Sequence, residues 1–511
     1  MSIHPIVKIF LIGLFGFLLS LSAPGYDLWF FAWIFLSPLF IIINTSRTIK
    51  ETILYSVLFG FCYNVWYLHW LFSLHPLTWL GFSNSQSIVL SLAALFVVSV
   101  YNSLFFGIFA VAITYLKKVS VSPYNKGITN LLLTTFIWLI IFNKIQASEQ
   151  LLGFPWTLIE YSQYKNLFLI QIAEYFGSIS ISFLIVLSNL VLANIFIWLF
   201  NIQKIGDRYI PRDPAQFETI VLGFSFTIIL ISLSIIFGVL SYKKNQEHFS
   251  NESQSICILQ GNLPIKSTRG GSLNINLARK TYNTLIQNNE SALLIAPEGA
   301  LPTIYNSDPA TQWWLKNTAK EKQADLISGS YCKNKETLTN CAVAYSPSIN
   351  QFSSYEKERL VPFGEFTPLS FLLPKSLKKI ASNIIGEGFS KGKQNAPLKT
   401  SFGLAGVNIC FELIFPAIIR KHSLQGANFF INLSDLSWFS NDLIKQQFIS
   451  FGVFRAIENR KPLIIATNNG ISTFIEPSGK IKSQSLSNSP GVLMDWINPN
   501  NKITFYARYG W

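Results

Sequence analysis

Leu404-Ala405-Gly406-Val407-Asn408-Ile409-Cys410-Phe411-Glu412 reads as a buried strand that ends on a nucleophile. A short run of small and β-branched apolar residues, bounded by glycine on one side and a charge on the other, suits a strand covered on both faces. Strand ends are where α/β proteins build their sites, so Cys410 stands at a functional position. Similar runs lie at 255–260, 292–297, 324–330, 341–345, 428–433 and 463–467, with closing strands at 472–476 and 491–496. Helix-length segments separate them, among them 272–287 and an amphipathic stretch at 443–459. Strands alternating with helices predict an α/β domain over residues 246–511.

Residues 1–245 obey a different rule. The 511-residue chain is 50% hydrophobic and only 13% charged, against about 25% charged in soluble globular domains. The excess of apolar residues is concentrated before Tyr242, in seven candidate membrane spans at 6–23, 28–44, 52–73, 86–115, 128–142, 167–200 and 218–241. The first could be a cleaved signal peptide, but the next span follows within a few residues, which favours retention. Arg47 and Lys50, then Lys117, Lys118 and Lys126, then Lys204, Arg208 and Arg212 fall in alternate loops, and Lys8 precedes the series. By the positive-inside rule the N-terminus is cytoplasmic, and an odd number of spans puts the α/β domain in the periplasm of a multi-pass inner-membrane protein.

The formal net charge of +14 is scattered along the chain instead of gathered in a stripe, which argues against nucleic acid as a partner. Five cysteines form no C-x-x-C pair and five histidines no H-E-x-x-H, so neither a metal nor another cofactor is expected. Cys332 and Cys341 flank a turn at 334–340. An external compartment permits a disulfide between them, and two buried thiols fit the spacing equally well.

Glu298 follows Leu-Leu-Ile-Ala-Pro and Lys357 follows Tyr355-Glu356, so both, like Cys410, sit at predicted strand ends. Together the three types can perform acyl transfer: a thiol attacks, a cation favours the thiolate, and a carboxylate shuttles the proton. Each alone reads as an inert core thiol or a solvated turn residue. The surrounding sequence weighs against that reading: Ala296-Pro297-Glu298-Gly299, then Tyr355-Glu356-Lys357-Glu358-Arg359-Leu360-Val361-Pro362-Phe363-Gly364-Glu365-Phe366, then Asn408-Ile409-Cys410-Phe411-Glu412.

This ordered set resembles the nitrilase superfamily, whose Glu, Lys and Cys lie on an α-β-β-α sandwich. With the apolar half in front, the chain resembles the apolipoprotein N-acyltransferase family of membrane enzymes. The resemblance extends to Gly153-Phe154-Pro155-Trp156 with Tyr161-Ser162-Gln163, to Gln260-Gly261-Asn262, to Thr467-Asn468-Asn469-Gly470 and to Tyr506-Ala507-Arg508. It implies that Glu298 is the general base, Lys357 the cation beside the thiolate and oxyanion, and Cys410 the nucleophile that carries the acyl group. It also implies supporting roles for Glu365 and Glu412, an oxyanion-hole amide at Phe411, and a substrate-binding role for Trp438. Either carboxylate could instead simply orient Lys357 by an ion pair. The chain departs from the family in four places. Phe411 stands where Tyr is usual, Asp435-Leu436-Ser437-Trp438-Phe439 replaces Asn-Asp-Ala-Trp-Phe, Arg269 falls near an expected Trp, and the chain stops at Trp511 where many members continue into an eighth span.

Gly388-Phe389-Ser390-Lys391-Gly392 fits the G-x-S-x-G pattern of serine hydrolases but lacks a preceding buried strand, so it reads as a glycine-rich loop. The expected activity is transfer of an acyl chain from a membrane phospholipid, through a thioester on Cys410, to the N-terminal amine of the diacylglyceryl-cysteine of an apolipoprotein. The alternative is a membrane-tethered amidase acting on a small amide. A transporter or scaffold fits less well, because the spans lack clusters of charge; His69 and Glu160 are exceptions, for which interfacial placement is expected. Residues 366–385, where Leu369, Phe371, Leu372, Leu373, Ile380 and Ile384 mix with Lys375, Lys378 and Lys379, read either as a flap touching lipid or as a buried helix.

Overall fold

The computed structural model describes residues 5–119, 127–200, 204–205, 208–209, 214–246, 252–268, 274–287, 289–334, 337–368, 374, 388–393 and 395–510. Most of the expected flap, Arg269 and the Gly386-Glu387 pair lie outside the described residues. Two compact units form: Met1–Ser73, Ile88–Ala173 and Gly177–Leu240 make one, and Leu74–Ser87, Glu174–Phe176 and Ser241–Trp511 make the other.

The first unit is helical: α1 (Pro5–Ser20), α2 (Ser37–Thr45), α3 (Ile49–Tyr67), α4 (Asn84–Val119), α5 (Ile128–Leu139), α6 (Ile179–Leu199) and α7 (Pro214–Lys244). Among the described residues, four helical stretches are long and apolar enough to cross a membrane: Asn84–Lys117, Ile128–Ile145, Ile179–Leu199 and Phe217–Lys244. The runs at 6–23, 28–44 and 52–73 fold differently. α1 has 16 residues, α2 has nine, and α3 opens with Lys50 and Glu51 and buries Asn64. The run at 167–200 is broken into Leu167–Ile170, Ala173–Phe176 and α6, with Gly177 at φ 74° between the last two. A Cβ on Gly16 would lie 2.5 Å from the carbonyl of Phe59, so that glycine permits the close approach of α1 and α3.

Glu160 lies in the short helical turn Ile159–Gln163, outside the four long apolar helices. It is buried, and its carboxylate accepts hydrogen bonds from the Asn143 amide at 2.7 Å and from the Ser182 hydroxyl. Those two donors are what makes the burial tolerable.

The second unit carries twelve strands in two six-stranded sheets. They are β1 (Gln254–Gln260), β2 (Leu293–Ala296), β3 (Asp325–Asn334), β4 (Thr337–Ser346), β5 (Gln351–Glu356), β6 (Leu398–Thr400), β7 (Gly403–Ile409), β8 (Phe429–Ser434), β9 (Leu463–Thr467), β10 (Thr473–Ile475), β11 (Ile481–Gln484) and β12 (Gly491–Ile497). The first sheet runs β12-β1-β2-β3-β4-β5 and the second β11-β10-β9-β8-β7-β6. Apolar side chains of β1 to β5 meet those of β6 to β10 in one continuous core, with Ile256, Ile295 and Ala344 on one side and Val407, Ile431 and Ile464 on the other. The opposite face of the first sheet packs on α8 (Ile275–Ile286) and α9 (Pro309–Lys322) through Tyr282, Trp314 and Leu315. α10 (Pro416–Leu424) and α11 (Asp442–Asn459) lie on the second sheet. The second unit is the expected α-β-β-α sandwich, and it follows the helical membrane half in the sequence.

Three strands escape the sequence pattern, β5, β6 and β11, and each is the outermost of its sheet. An edge strand is half solvated and carries no long apolar run, so its composition resembles a loop. α11 is not amphipathic as expected, because every residue except Asp442 and Gln446 is buried. It touches β9, α10 and the short helix Phe505–Tyr509, and its buried Arg455 pairs with Glu458 at 3.1 Å. Asn340 does not belong to a turn. β3 and β4 run on to pair Asn334 with Thr337, which places Asn340 inside the ladder opposite Tyr331. Cys332 and Cys341, diagonal neighbours across that ladder, form a disulfide with a Cα–Cα distance of 5.9 Å.

Candidate active site

Cys410 begins a 3-10 turn, Cys410–Ile414, at the carboxyl end of β7, and its φ of 50° lies in the left-handed region that most side chains avoid. The sharp change from strand to turn lifts the thiol out of the core, and Cys410 is partly exposed while Ile409 and Phe411 are buried. Its carbonyl accepts a hydrogen bond from the Asn432 amide at 3.1 Å, and Asn432 also donates to Asn408 at 2.6 Å. The backbone of the nucleophile is thereby tied to β8, the central strand beside it.

Glu298 follows β2 in the first sheet and is 1% exposed. Its Oε2 accepts the backbone N–H of Asp435, just beyond β8, at 2.9 Å, and its Oε1 accepts the Asn340 amide at 2.7 Å. The first of these bonds joins the two sheets at their strand ends. Lys357 follows β5 and is fully buried, with Nζ 2.9 Å from Glu365 Oε1 and 3.5 Å from Glu298 Oε1. A lysine without solvent needs such acceptors, and two carboxylates around one ammonium leave the cluster one negative charge in excess. Asn340 donates to Glu365 as well, at 3.1 Å, and thus bridges both carboxylates. Glu365 closes its own loop by accepting the Val361 N–H at 2.9 Å.

Glu412 is arranged differently. Its carboxylate accepts the N–H groups of Ile409, Glu358 and Arg359 and the hydroxyl of Tyr355, at 2.6 to 3.0 Å. It therefore clips the turn of Cys410 to the loop that carries Lys357. Complete burial pushes its carboxyl up to about 7 in spite of those donors and of the Lys357 charge. Phe411 packs edge-on against Phe415. Trp438 lies in the turn after β8 and packs edge-on against Trp79, with ring centroids 5.1 Å apart.

The second unit thus gathers Glu298, Lys357 and Glu365 into one hydrogen-bonded cluster, and Glu412 ties the Cys410 turn to the loop that follows Lys357. Asn340 escapes the sequence reading, because that reading begins the strand at Cys341, four residues after its start at Thr337, and leaves Asn340 looking like part of a polar turn. The motifs Gln260-Gly261-Asn262 and Thr467-Asn468-Asn469-Gly470 acquire a physical role. Asn468 exchanges bonds with Leu263 at 2.8 Å and donates to Asp435 at 3.2 Å, which steadies the residue whose N–H holds Glu298. The G-x-S-x-G segment is a strap beside the site. Phe389 N–H donates to the Glu365 carbonyl and Gly392 N–H to the Lys357 carbonyl, each at 2.8 Å. Among the described residues no group of acidic, histidine or cysteine side chains is spaced to hold a metal ion.

A buried carboxylate, a buried ammonium and a thiol raised on a strained turn can transfer an acyl group. The comparisons agree in kind. Residues 15–191 match the family model for the apolipoprotein N-acyltransferase N-terminal domain, and residues 272–501 match that for carbon-nitrogen hydrolases. The chain is 31% identical over 397 residues to an apolipoprotein N-acyltransferase of Geobacter metallireducens, covering 76% of this chain and 72% of the relative. Enzymes of the same description from a Nostoc species and from Pasteurella multocida are 26% and 25% identical, over 96% and 97% of this chain and 94% and 90% of their own lengths.

Proposed function

We propose, for a chain that belongs to the apolipoprotein N-acyltransferase family, that Glu298, Lys357 and Cys410 carry its reaction through a thioester on Cys410. The reaction moves an acyl chain from a membrane phospholipid to the N-terminal amine of the diacylglyceryl-cysteine of an apolipoprotein. The supporting observation is the buried Glu298–Lys357–Glu365 cluster together with a nucleophile lifted on a turn at positive φ that Glu412 ties to the Lys357 loop. The amidase reading loses ground, because relatives named as acyltransferases match along the membrane half as well.

In the first half-reaction Cys410 Sγ attacks the ester carbonyl while Glu298 takes the thiol proton. The oxyanion is stabilised by the Lys357 ammonium and by the N–H of Phe411. The C–O bond then breaks, Glu298 returns the proton to the departing alkoxide, and a lysophospholipid leaves. In the second half-reaction the amine attacks the thioester and passes a proton to Glu298. The C–S bond breaks, the amide forms, and Cys410 recovers its proton. Glu365 holds Lys357 in place, and Glu412 holds the Cys410 turn against the Lys357 loop. Trp438 contacts substrate.

We place the second unit in the periplasm of a cell with an inner membrane, on the alternation of loop charges and on the Cys332–Cys341 disulfide, which suits an oxidising compartment. Purified protein incubated with phospholipid alone, then digested, should yield the Cys410 peptide heavier by one acyl group. Cys410→Ala should yield no adduct and no transfer. An unmodified Cys410 together with full activity in Cys410→Ala would overturn the mechanism.

A further inference from the structure

Away from the catalytic cluster, the second unit gathers four aromatic side chains from two distant parts of the sequence. Tyr175 and Phe176 come from the short helix Ala173–Phe176, and Phe505 and Tyr509 from the helix Phe505–Tyr509. Phe505 contacts Tyr175, Phe176 and Tyr509, with ring centroids 6.1, 6.5 and 4.9 Å apart. They are nevertheless exposed, by 41%, 55%, 49% and 64% for Tyr175, Phe176, Phe505 and Tyr509. The same short helix buries Tyr506 and Ala507 on its other side, so its orientation is fixed by packing and the outward face is the aromatic one.

The patch is built, not fortuitous. Beneath it Glu174 binds Arg460 at 2.9 Å and Lys502 at 2.5 Å, and Arg460 also donates to Ser241 at 2.8 Å. This ion cluster locks the chain next to Tyr175 to the chain leading into Phe505. Isolated exposed hydrophobics need no explanation, but a contiguous aromatic patch on a rigid base marks an interaction surface.

Chain connectivity identifies the partner. Phe176 precedes the first residue of the spanning helix Ile179–Leu199 by three residues. Three residues reach at most about 11 Å, and the polar zone of a bilayer is on the order of 6 Å deep on each side of the hydrocarbon. The patch therefore lies within reach of the headgroup region. Tyr175, Tyr509 and the exposed Arg508 suit that region, being apolar in body and polar or cationic at the tip, while Phe176 and Phe505 supply apolar contact.

We propose that Tyr175, Phe176, Phe505 and Tyr509 form an interfacial anchor that seats this corner of the catalytic unit among phospholipid headgroups. The anchor is independent of the Cys410 chemistry. The test places a photoreactive benzophenone amino acid at position 505 or 509 of the full-length protein in phosphatidylethanolamine and phosphatidylglycerol nanodiscs, with position 313 as a control. Trp313, on α9, is 65% exposed and belongs to no such patch. Irradiation should add one phospholipid mass at 505 and at 509, with a yield at least tenfold above that at 313. Absence of lipid adducts at 505 and 509, equal yield at 313, or cross-linked protein dimers in place of lipid adducts would each overturn the proposal.

Discussion

Gly329 sits in the middle of β3, and the sharpest test of how the fold aims its base is to give it a methyl group. A Cβ there would lie 2.4 Å from the Pro297 carbonyl oxygen, 2.6 Å from Glu298 Cα and 2.7 Å from Gly299 N. Ordinary heavy-atom contacts are about 3.5 Å, so something must yield by about 1 Å. β3 is hydrogen-bonded to β2 on one side and β4 on the other and is held in register. The 297–299 turn therefore moves, and Glu298 moves with it. A shift of that size breaks the 2.7 Å bond from Asn340 and the 2.9 Å bond from Asp435. Gly329→Ala should lower the rate of Cys410 acylation by about a hundredfold, the usual consequence of about 1 Å of misplacement. Overpacking adds a stability cost of about 1 to 3 kcal/mol. The assay is single-turnover acyl-enzyme formation followed by intact mass, with thermal unfolding in parallel. Gly491→Ala, where a Cβ meets nothing within 4 Å, is the control and should be neutral. A folded Gly329→Ala enzyme acylated within threefold of the parent rate would refute the claim that this turn positions the base.

Asn340→Ala removes the donor shared by Glu298 and Glu365, and acylation should slow by about tenfold to a hundredfold with little change in fold, read from the same mass assay. Replacing both Cys332 and Cys341 by serine opens a link between residues nine apart and should cost about 2.6 kcal/mol, seen as a lower unfolding midpoint; an unchanged midpoint would mean the bridge contributes nothing. Burial lowers the His422 imidazole to about 4, against about 6.5 when unfolded. In that window the unfolded chain binds a proton that the folded one refuses, so stability falls as the pH drops from about 6.5 to about 4, by up to about 1.4 kcal/mol per unit. His422→Gln should flatten that slope in a pH series of unfolding midpoints, and an unaltered slope would assign it to other groups.

The inner strands were legible because full burial forces an unbroken apolar run, which Leu463-Ile464-Ile465-Ala466-Thr467 displays in the bare sequence. Strands β5, β6 and β11 were not, since their identity depends on pairing with a neighbour across one edge only. Glu298 and Cys410 could be singled out because each ends such a run, whereas Lys357 follows the polar strand β5 and stands out only through the residues around it. Asn340 could not, because its role arises from the register of β3 and β4, a long-range fact without a local signature. The burial of Glu160 and of α11 has no local signature, because it depends on packing against distant elements and, for Glu160, on a partner as remote as Ser182.

The turn at Cys410 places a side chain where glycine would be more comfortable. A residue other than glycine, asparagine or aspartate at φ 50° carries a conformational cost of about 1 kcal/mol or more. Cys410→Gly is then expected to be dead and yet as stable as the parent or more so. Any campaign that improves this enzyme by yield or heat resistance alone would drift toward such inactive forms, so selection for robustness has to be coupled at every round to a readout of acyl transfer.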